Sequence, residues 1–251
     1  MMDKPLTETK KYDIVNYIAK KYNYKHYFEL CTSITGNFYH AIDRSIFDTC
    51  HRLMYRCPTN FNDSLPIDYR CDYENILPSL AQLRADRIPI DICLVDGWHT
   101  YQNARRDLAE AFNLISDGGI LVVHDCLPPT IEVASPTFRY GNRGWCGVSY
   151  KAYLDFVLIN NHIDYCTVDT DFGCGIIVKN RRLSLHKRTF SSDILERFIQ
   201  RWLKNGVFQR WLTIADDYDL AYNYLIENKH TLLRLISSEQ FWNEFTIKGR
   251  K

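Results

Sequence analysis

The order of apolar runs and helical stripes in this chain predicts an α/β protein with a Rossmann-like, doubly wound, mostly parallel sheet. Three observations carry the prediction. The stretch Asp91–Pro129 holds one apolar run at Ile92, Leu94 and Val95 and another at Ile120–Val123, with a helical stripe of Ala104, Leu108, Ala111, Phe112 and Ile115 between them. Runs with no polar interruption suit parallel strands covered on both faces, so this is a βαβ unit. At least four such strand–helix repeats can be counted along the chain. Each apolar run also stops at polar residues, Asp96-Gly97-Trp98-His99 after the first of the pair and His124-Asp125-Cys126 after the second. In open α/β sheets ligands bind beyond the carboxyl ends of the strands, so these residues point to one place.

The elements follow in order. Residues 1–10 read as disordered or loosely attached, and Ile14, Val15 and Ile18 predict an N-terminal helix over Tyr12–Tyr22. Tyr24–Cys31 is the first strand. The small-residue loop Thr32–Gly36 follows it, of the kind that lets backbone N–H groups approach a ligand, and a helix is expected next. Arg52–Cys57 reads as a second strand, Pro58–Pro66 as a loop, Ile67–Arg70 as a short third strand, and Glu74–Ala85 as a helix. After the central unit, residues 130–147 form a long loop or lid over the strand ends. Val148–Asn160 is helical, and Ile163–Val168 with Gly175–Val178 forms an antiparallel hairpin at the sheet edge. Residues 1–179 are expected to make the main domain. Residues 180–251 change character to about three amphipathic helices, on stripes such as Leu195, Phe198, Ile199, Trp202 and Leu203, an all-helical extension whose apolar faces must be covered by the main domain or a partner subunit.

Composition narrows the partners. Lys and Arg number 31 against 30 Asp and Glu, a formal net charge of +1, so the balance argues for neither nucleic acid nor an acidic membrane surface. No stretch has the roughly 20 apolar residues of a membrane span, and the polar start lacks a secretory segment, so a cytoplasmic location is expected. The nine cysteines show no C-x-x-C spacing and are read as reduced, mostly core thiols.

Asp96 and Asp125 at adjacent strand ends can chelate a hard cation, because Mg²⁺ is commonly held by one or two carboxylates. They can equally cap the following helix or turn. His124 as a further ligand tilts the preference toward Mn²⁺ or Fe²⁺. His99, three residues after Asp96, is a candidate general base, since an ordinary imidazole titrates near neutral pH. The alternative for His99 is a structural histidine.

Glu29 before a small-residue loop, Asp72 after the third strand, Asp96-Gly97-x-His99 after the fourth, and Gly118-Gly119 leading to His124-Asp125 after the fifth together resemble class I S-adenosylmethionine-dependent O-methyltransferases. The likeness is to the subgroup with "DGxH" and "HD" strand ends, some of whose members methylate sugar hydroxyls with a divalent cation; it spans residues 12–179. The resemblance implies S-adenosylmethionine (SAM) as cofactor, lined by Glu29, Cys31, Thr32, Ser33, Gly36, Asp72, Tyr73, Asp96 and Trp98. It implies a Mg²⁺ or Mn²⁺ site at Asp96, His124 and Asp125, with His99 and Asp96 catalytic. Arg139, Arg143, Trp145, Tyr150 and Lys151 are expected to meet a small-molecule or glycan acceptor, a sugar of a glycan or nucleotide-sugar, and a homodimer through the C-terminal helices is expected. The sequence departs from the family at two places. Cys31, Ser33 and Thr35 stand where the loop usually has glycines, so φ > 0 freedom is absent there. Arg56-Cys57-Pro58 stands where an acidic residue usually holds the ribose; Asp63 in the following loop is one candidate substitute, and Glu29 with backbone groups is the other. The runner-up function is a catalytically silent binding or assembly module on the same fold.

Overall fold

The computed structural model describes residues 8–138, 144–160, 163–179, 206–214 and 217–247. Arg139, Arg143 and the helical stripe at Leu195–Leu203 lie outside them. Eight strands form one sheet in the order β3-β2-β1-β4-β5-β7-β6-β8. These are β1 (His26–Thr32), β2 (Thr49–Tyr55), β3 (Tyr69–Arg70), β4 (Ile92–Asp96), β5 (Ile120–Val123), β6 (Ile163–Asp169), β7 (Cys174–Lys179) and β8 (Leu235–Ser237). The first five pair in parallel, and β7 runs antiparallel to both β5 and β6. This is the doubly wound sheet that the uninterrupted apolar runs require: β4 and β5 are buried along their whole length.

Helices cover both faces. On one face lie α1 (Lys11–Tyr22) and α7 (Ser238–Glu244), with Ile14, Val15, Ile18 and Phe241 packed against Tyr27, Leu94, Ile120, Val122 and Ile176. On the other lie α2 (Leu77–Asp86), α3 (Tyr101–Leu114) and α4 (Ser149–Ile159), then α5 (Gly206–Thr213) and α6 (Tyr218–Leu232). The alternation of strand side chains feeds the two cores: Phe28 and Leu30 face the second, Tyr27 the first.

Three expectations are corrected. Residues 8–10 are anchored, not loose: Thr9 is buried, its carbonyl accepts from Thr170 Oγ1 at 2.6 Å, and its hydroxyl oxygen meets Ser238 Oγ at 2.8 Å and Trp242 Nε1 at 3.0 Å. The hairpin does not end the sheet, because β7 inserts beside β5 and the far side of β6 is taken by β8 in parallel. Among the described residues, the C-terminal segment is therefore helical with one short strand added. Trp211, Leu225, Leu232 and Phe241 are buried in the two cores of the sheet, so the main domain covers these faces. Trp211 is also tied by its Nε1, which donates to Asp155 at 2.8 Å. All nine cysteines are free thiols.

Candidate cation and base site at the strand ends

The register of the sheet assembles the site. Cys31 of β1 pairs with Asp96 of β4, and the amide of His124 donates to the Val95 carbonyl at 3.1 Å, which continues the β4–β5 ladder one residue past β5. Asp96, His124 and Asp125 thereby meet, with one possible ligand atom from each within 4.8 Å of the others. Asp125 holds φ +61°, a left-handed conformation that a non-glycine residue adopts only when its surroundings fix it. The helix-cap alternative for Asp96 falls away, because α3 begins after Thr100 with no side-chain cap.

His99 completes the group. Its Nδ1 lies 2.7 Å from the Trp145 carbonyl, which can only accept, so that nitrogen carries the proton. Its Nε2 is 3.2 Å from Asp96 Oδ1 and 3.2 Å from Asp125 Oδ2. Gly147, at φ +55°, permits this seat, since a Cβ there would lie 2.2 Å from the His99 carbonyl oxygen. His124 is part-buried, its two ring nitrogens are shut from solvent with neither in a well-aligned hydrogen bond, yet Nδ1 is 3.3 Å from Asp125 Oδ1 and 3.6 Å from Asp96 Oδ1.

Two residues not anticipated from the sequence join this site. Lys11, in the first turn of α1, reaches across the cleft and pairs with Asp96 Oδ2. Asp171, from the β6–β7 turn, lies 3.3 Å from His124 Nε2 and accepts from the Lys11 amide at 3.0 Å. Burial works against charge throughout, and the pairing outweighs it. Lys11, His124 and His99 hold the Asp96 carboxyl well below the usual range, and His124 and His99 lower Asp125. In return Asp125 and Asp96 raise both imidazoles above their ordinary value. With both imidazoles protonated, Asp96, Asp125 and Asp171 are balanced by Lys11, His99 and His124.

A second network holds the Asp96–His99 turn from below. Tyr55 donates to Asp107 Oδ2 at 2.6 Å and accepts from the Trp98 amide, and Arg106 pairs with Asp107 Oδ1 at 2.9 Å. Gly97 must be glycine here, because a Cβ would meet Asp107 Oδ2 at 2.1 Å. Burial pushes the Asp107 carboxyl up to about 6, against Arg106 and Tyr55.

A cavity of about 270 Å³ opens beside these groups, lined by Lys11, Asp96, His99, His124 and Asp125, by Ile34 and Thr35 of the β1 loop, and by Trp98, Phe138, Trp145 and Phe172. Trp98, Phe138 and Trp145 form an aromatic cluster with centroids 4.9–5.3 Å apart. The β1 loop is closed by its own hydroxyls: Thr35 Oγ1 accepts from the Thr32 amide at 2.9 Å and donates to the Asp96 carbonyl, while Thr32 Oγ1 accepts from the amides of Ile34 and Thr35. Ser33 donates to the Arg56 carbonyl at 2.7 Å, and Cys31 is buried beneath the loop against Gly36. Glu29 lies inside β1, not at its end. It is wholly buried, accepts from Tyr27 at 2.7 Å, leaves Oε1 unbonded, and is pushed up to about 7, chiefly by burial.

Other expected site residues stand elsewhere. Asp72 and Tyr73 are exposed, Tyr73 at 80%, and neither caps α2. Tyr150 and Lys151 do not reach the cavity: the Tyr150 hydroxyl donates to the Tyr218 carbonyl at 3.0 Å, and Lys151 is buried against Asp155 at 2.7 Å. Burial in the α4–α5–α6 contact explains both. Trp145 does line the cavity. Asp63 is committed to Arg52 at 3.1 Å and to His40, so it is not the ribose substitute; Arg56 itself lies over Trp98 at 3.8 Å and pairs with Glu74.

Residues 69–126 match a family described as a methyltransferase domain. No curated protein sequence matches the chain. Among solved structures, the chain is similar to an O-methyltransferase of Bacillus cereus in complex with SAH, 13% identical over 66% of this chain and 79% of that one, with a TM-score of 0.47. It is similar to the O-methyltransferase TomG of Streptomyces achromogenes, involved in tomaymycin synthesis and solved with SAM, at 12% identity, 66% and 78% coverage, and TM-score 0.48. A third is the MycE methyltransferase of the mycinamycin pathway, solved with Mg, SAH and mycinamycin VI, at 15% identity, 68% and 50% coverage, and TM-score 0.44. The fold assignment rests on the strand order and not on these likenesses. The family match places a methyltransferase-domain signature on the segment from β3 to just past β5, which carries Asp96, His99, His124 and Asp125.

Proposed function

We propose that the protein is a SAM-dependent O-methyltransferase that uses a divalent cation to present a hydroxyl of a small polar acceptor, a sugar of a glycan or nucleotide-sugar. The observation that carries the reading is the junction, in one cavity, of the β1 loop with two carboxylates and two imidazoles from the methyltransferase-signature segment. Bound SAM supplies an electrophilic sulfonium methyl. The cavity lined by Thr35 and Asp96 would receive it, with Ile34 and Trp98 as its apolar walls.

The residues fit a cation. Separations of 3.3 and 3.6 Å from His124 Nδ1 to Asp125 Oδ1 and Asp96 Oδ1 suit ligands sharing one ion about 2.1 Å away. His124 Nδ1 is buried without a hydrogen bond, and Asp96 Oδ1 faces His99 Nε2 and His124 Nδ1 while Oδ2 is taken by Lys11. Asp96, Asp125 and His124 would hold the ion, which would supply acidity to a coordinated hydroxyl. His99, fixed by Trp145 with Nε2 toward the carboxylate pair, is the group to take the hydroxyl proton once its own proton has left. Trp98, Phe138 and Trp145 offer flat apolar walls to an acceptor ring.

The test is transfer of tritiated methyl from SAM to a panel of nucleotide-sugars and free glycosides, with Mn²⁺, with Mg²⁺ and with chelator. The reading predicts cation-dependent transfer to at least one acceptor and a loss of 10²-fold or more in His99→Ala. SAM binding with full transfer in His99→Ala would remove the base assignment. The silent-module reading is favoured by the loop amides closed on Thr32 and Thr35, and it predicts no SAM binding at all.

A further inference from the structure

The β6–β7 turn brings a third carboxylate to the strand ends. Asp171 holds φ +48° and Phe172 φ +61°. The turn is fastened to the chain just after Asp125: the Cys126 amide donates to the Gly173 carbonyl at 2.9 Å and the Leu127 amide to the Phe172 carbonyl at 2.7 Å. So fixed, Asp171 sets Oδ2 3.3 Å from His124 Nε2, and the Phe172 ring stands edge-on to the imidazole. The opposite ring nitrogen, Nδ1, is the one that faces Asp125 and Asp96. A histidine that ligates a metal characteristically gives its far N–H to a carboxylate or carbonyl, which fixes the tautomer and the ring plane. For His124 the carboxylate in that position is Asp171, within ion-pair reach of Nε2 but not aligned as a hydrogen bond, and it is anchored in turn by the Lys11 amide and Lys10 Nζ.

We propose that Asp171 is a positioning residue of the cation site: it keeps the His124 Nδ1 lone pair aimed between Asp96 and Asp125, which makes this a site for a first-row transition-metal dication in preference to Mg²⁺. The proposal rests on the cation reading above. The chemistry behind the preference is that Mg²⁺ takes oxygen and keeps its waters, whereas an imidazole ligand favours the later divalent metals.

The test is calorimetric titration of the full-length protein with Mn²⁺ and with Mg²⁺, joined to pulsed electron paramagnetic resonance of bound Mn²⁺. The protein should bind Mn²⁺ at least tenfold more tightly than Mg²⁺. In Asp171→Asn the Mn²⁺ affinity should fall by roughly 10–100-fold, with a smaller fall for Mg²⁺, and Asp171→Glu should recover part of it. The His99→Gln variant should still show nitrogen coupling to Mn²⁺, since only His124 is left to supply it. That spectrum decides the matter even where Asp171→Asn fails to fold: absence of nitrogen coupling overturns the proposal. Unchanged Mn²⁺ binding in Asp171→Asn, or equal losses for both ions, also overturns it while leaving the cation site standing. No Mn²⁺ binding by the unaltered protein would overturn the cation reading and this inference together.

Discussion

At the ends of β4 and β5, buried carboxylates and imidazoles face each other with His124 Nδ1 left without a hydrogen bond; at the end of β1, a few ångströms across the same cavity, the loop amides of Thr32, Ile34 and Thr35 are all taken by the loop's own hydroxyls. The first region is a set of charges that balances only with bound protons or a cation. The second is complete in itself. A buried polar group left open states what it is waiting for, because an unpaired one costs about 1–3 kcal/mol. The carboxylate side therefore specifies its ligand chemistry strongly, while the loop side presents the apolar surfaces of Ile34 and Trp98 to the cavity in place of the amide donors that a glycine-rich loop presents.

The contrast breaks most visibly at Asp96. Asp96→Asn leaves Lys11 buried without its counter-charge, so unfolding in urea should show a loss of about 3–5 kcal/mol, and the Asp96→Asn/Lys11→Met double variant should recover much of it. A double variant as unstable as the single one would mean that the pair does not hold α1 to the cleft.

Next in size is Glu29, the one buried acid of the β1 side. Its pKa of about 7 in the fold lies above the 4.5 of the free group, so the native state binds the proton more tightly. The unaltered protein therefore loses stability as pH rises from about 4.5 to 7 and reaches a plateau above that. Glu29→Gln removes this loss. Thermal melts should show the variant more stable at pH 8, by roughly 3 kcal/mol, with little difference at pH 4.5. A gain that does not depend on pH would show that Glu29 is charged in the fold at neutral pH.

A smaller effect is expected from Lys11 alone. Its ammonium competes with any cation for Asp96, so Lys11→Met should tighten Mn²⁺ binding about tenfold, read by calorimetry, while Lys11→Arg should not. The smallest belongs to the loop. Thr35→Val removes the acceptor for the Thr32 amide and the donor to the Asp96 carbonyl, and should cost about 1–2 kcal/mol and weaken SAM binding. Loss of cation binding in Thr35→Val with SAM binding intact would contradict the division of the cavity into two sides.

What the sequence made legible follows the same divide. Parallel strands announce themselves by apolar runs that stop abruptly, and the stops at Asp96-Gly97-Trp98-His99 and His124-Asp125 named the four residues that converge. Lys11 was hidden because its partner is 85 positions away and nothing in a helical stripe shows which polar residue crosses a cleft. Asp171 read only as a hairpin turn, although β6 runs parallel to β5 and so must deliver its turn to the same edge. Asp107 sat on a helix whose apolar stripe gave no sign that a carboxylate would be buried under Gly97. Tyr150 and Lys151 had the right chemistry for an acceptor, but Asp155 one turn later provides Lys151 with a half-buried counter-ion, and burial of Tyr150 and Lys151, not residue type, decided their place. β8 is three residues long, too short for a periodic pattern to mark.

The central claim is that this cavity holds SAM beside a cation site. Calorimetric titration of SAM into the full-length protein loaded with Mn²⁺ tests it most directly. The account predicts one SAM bound per chain with micromolar affinity, and no comparable binding of SAM by Asp96→Ala. Heat no greater than dilution for the unaltered protein would contradict it and leave a methyltransferase-like fold put to another use.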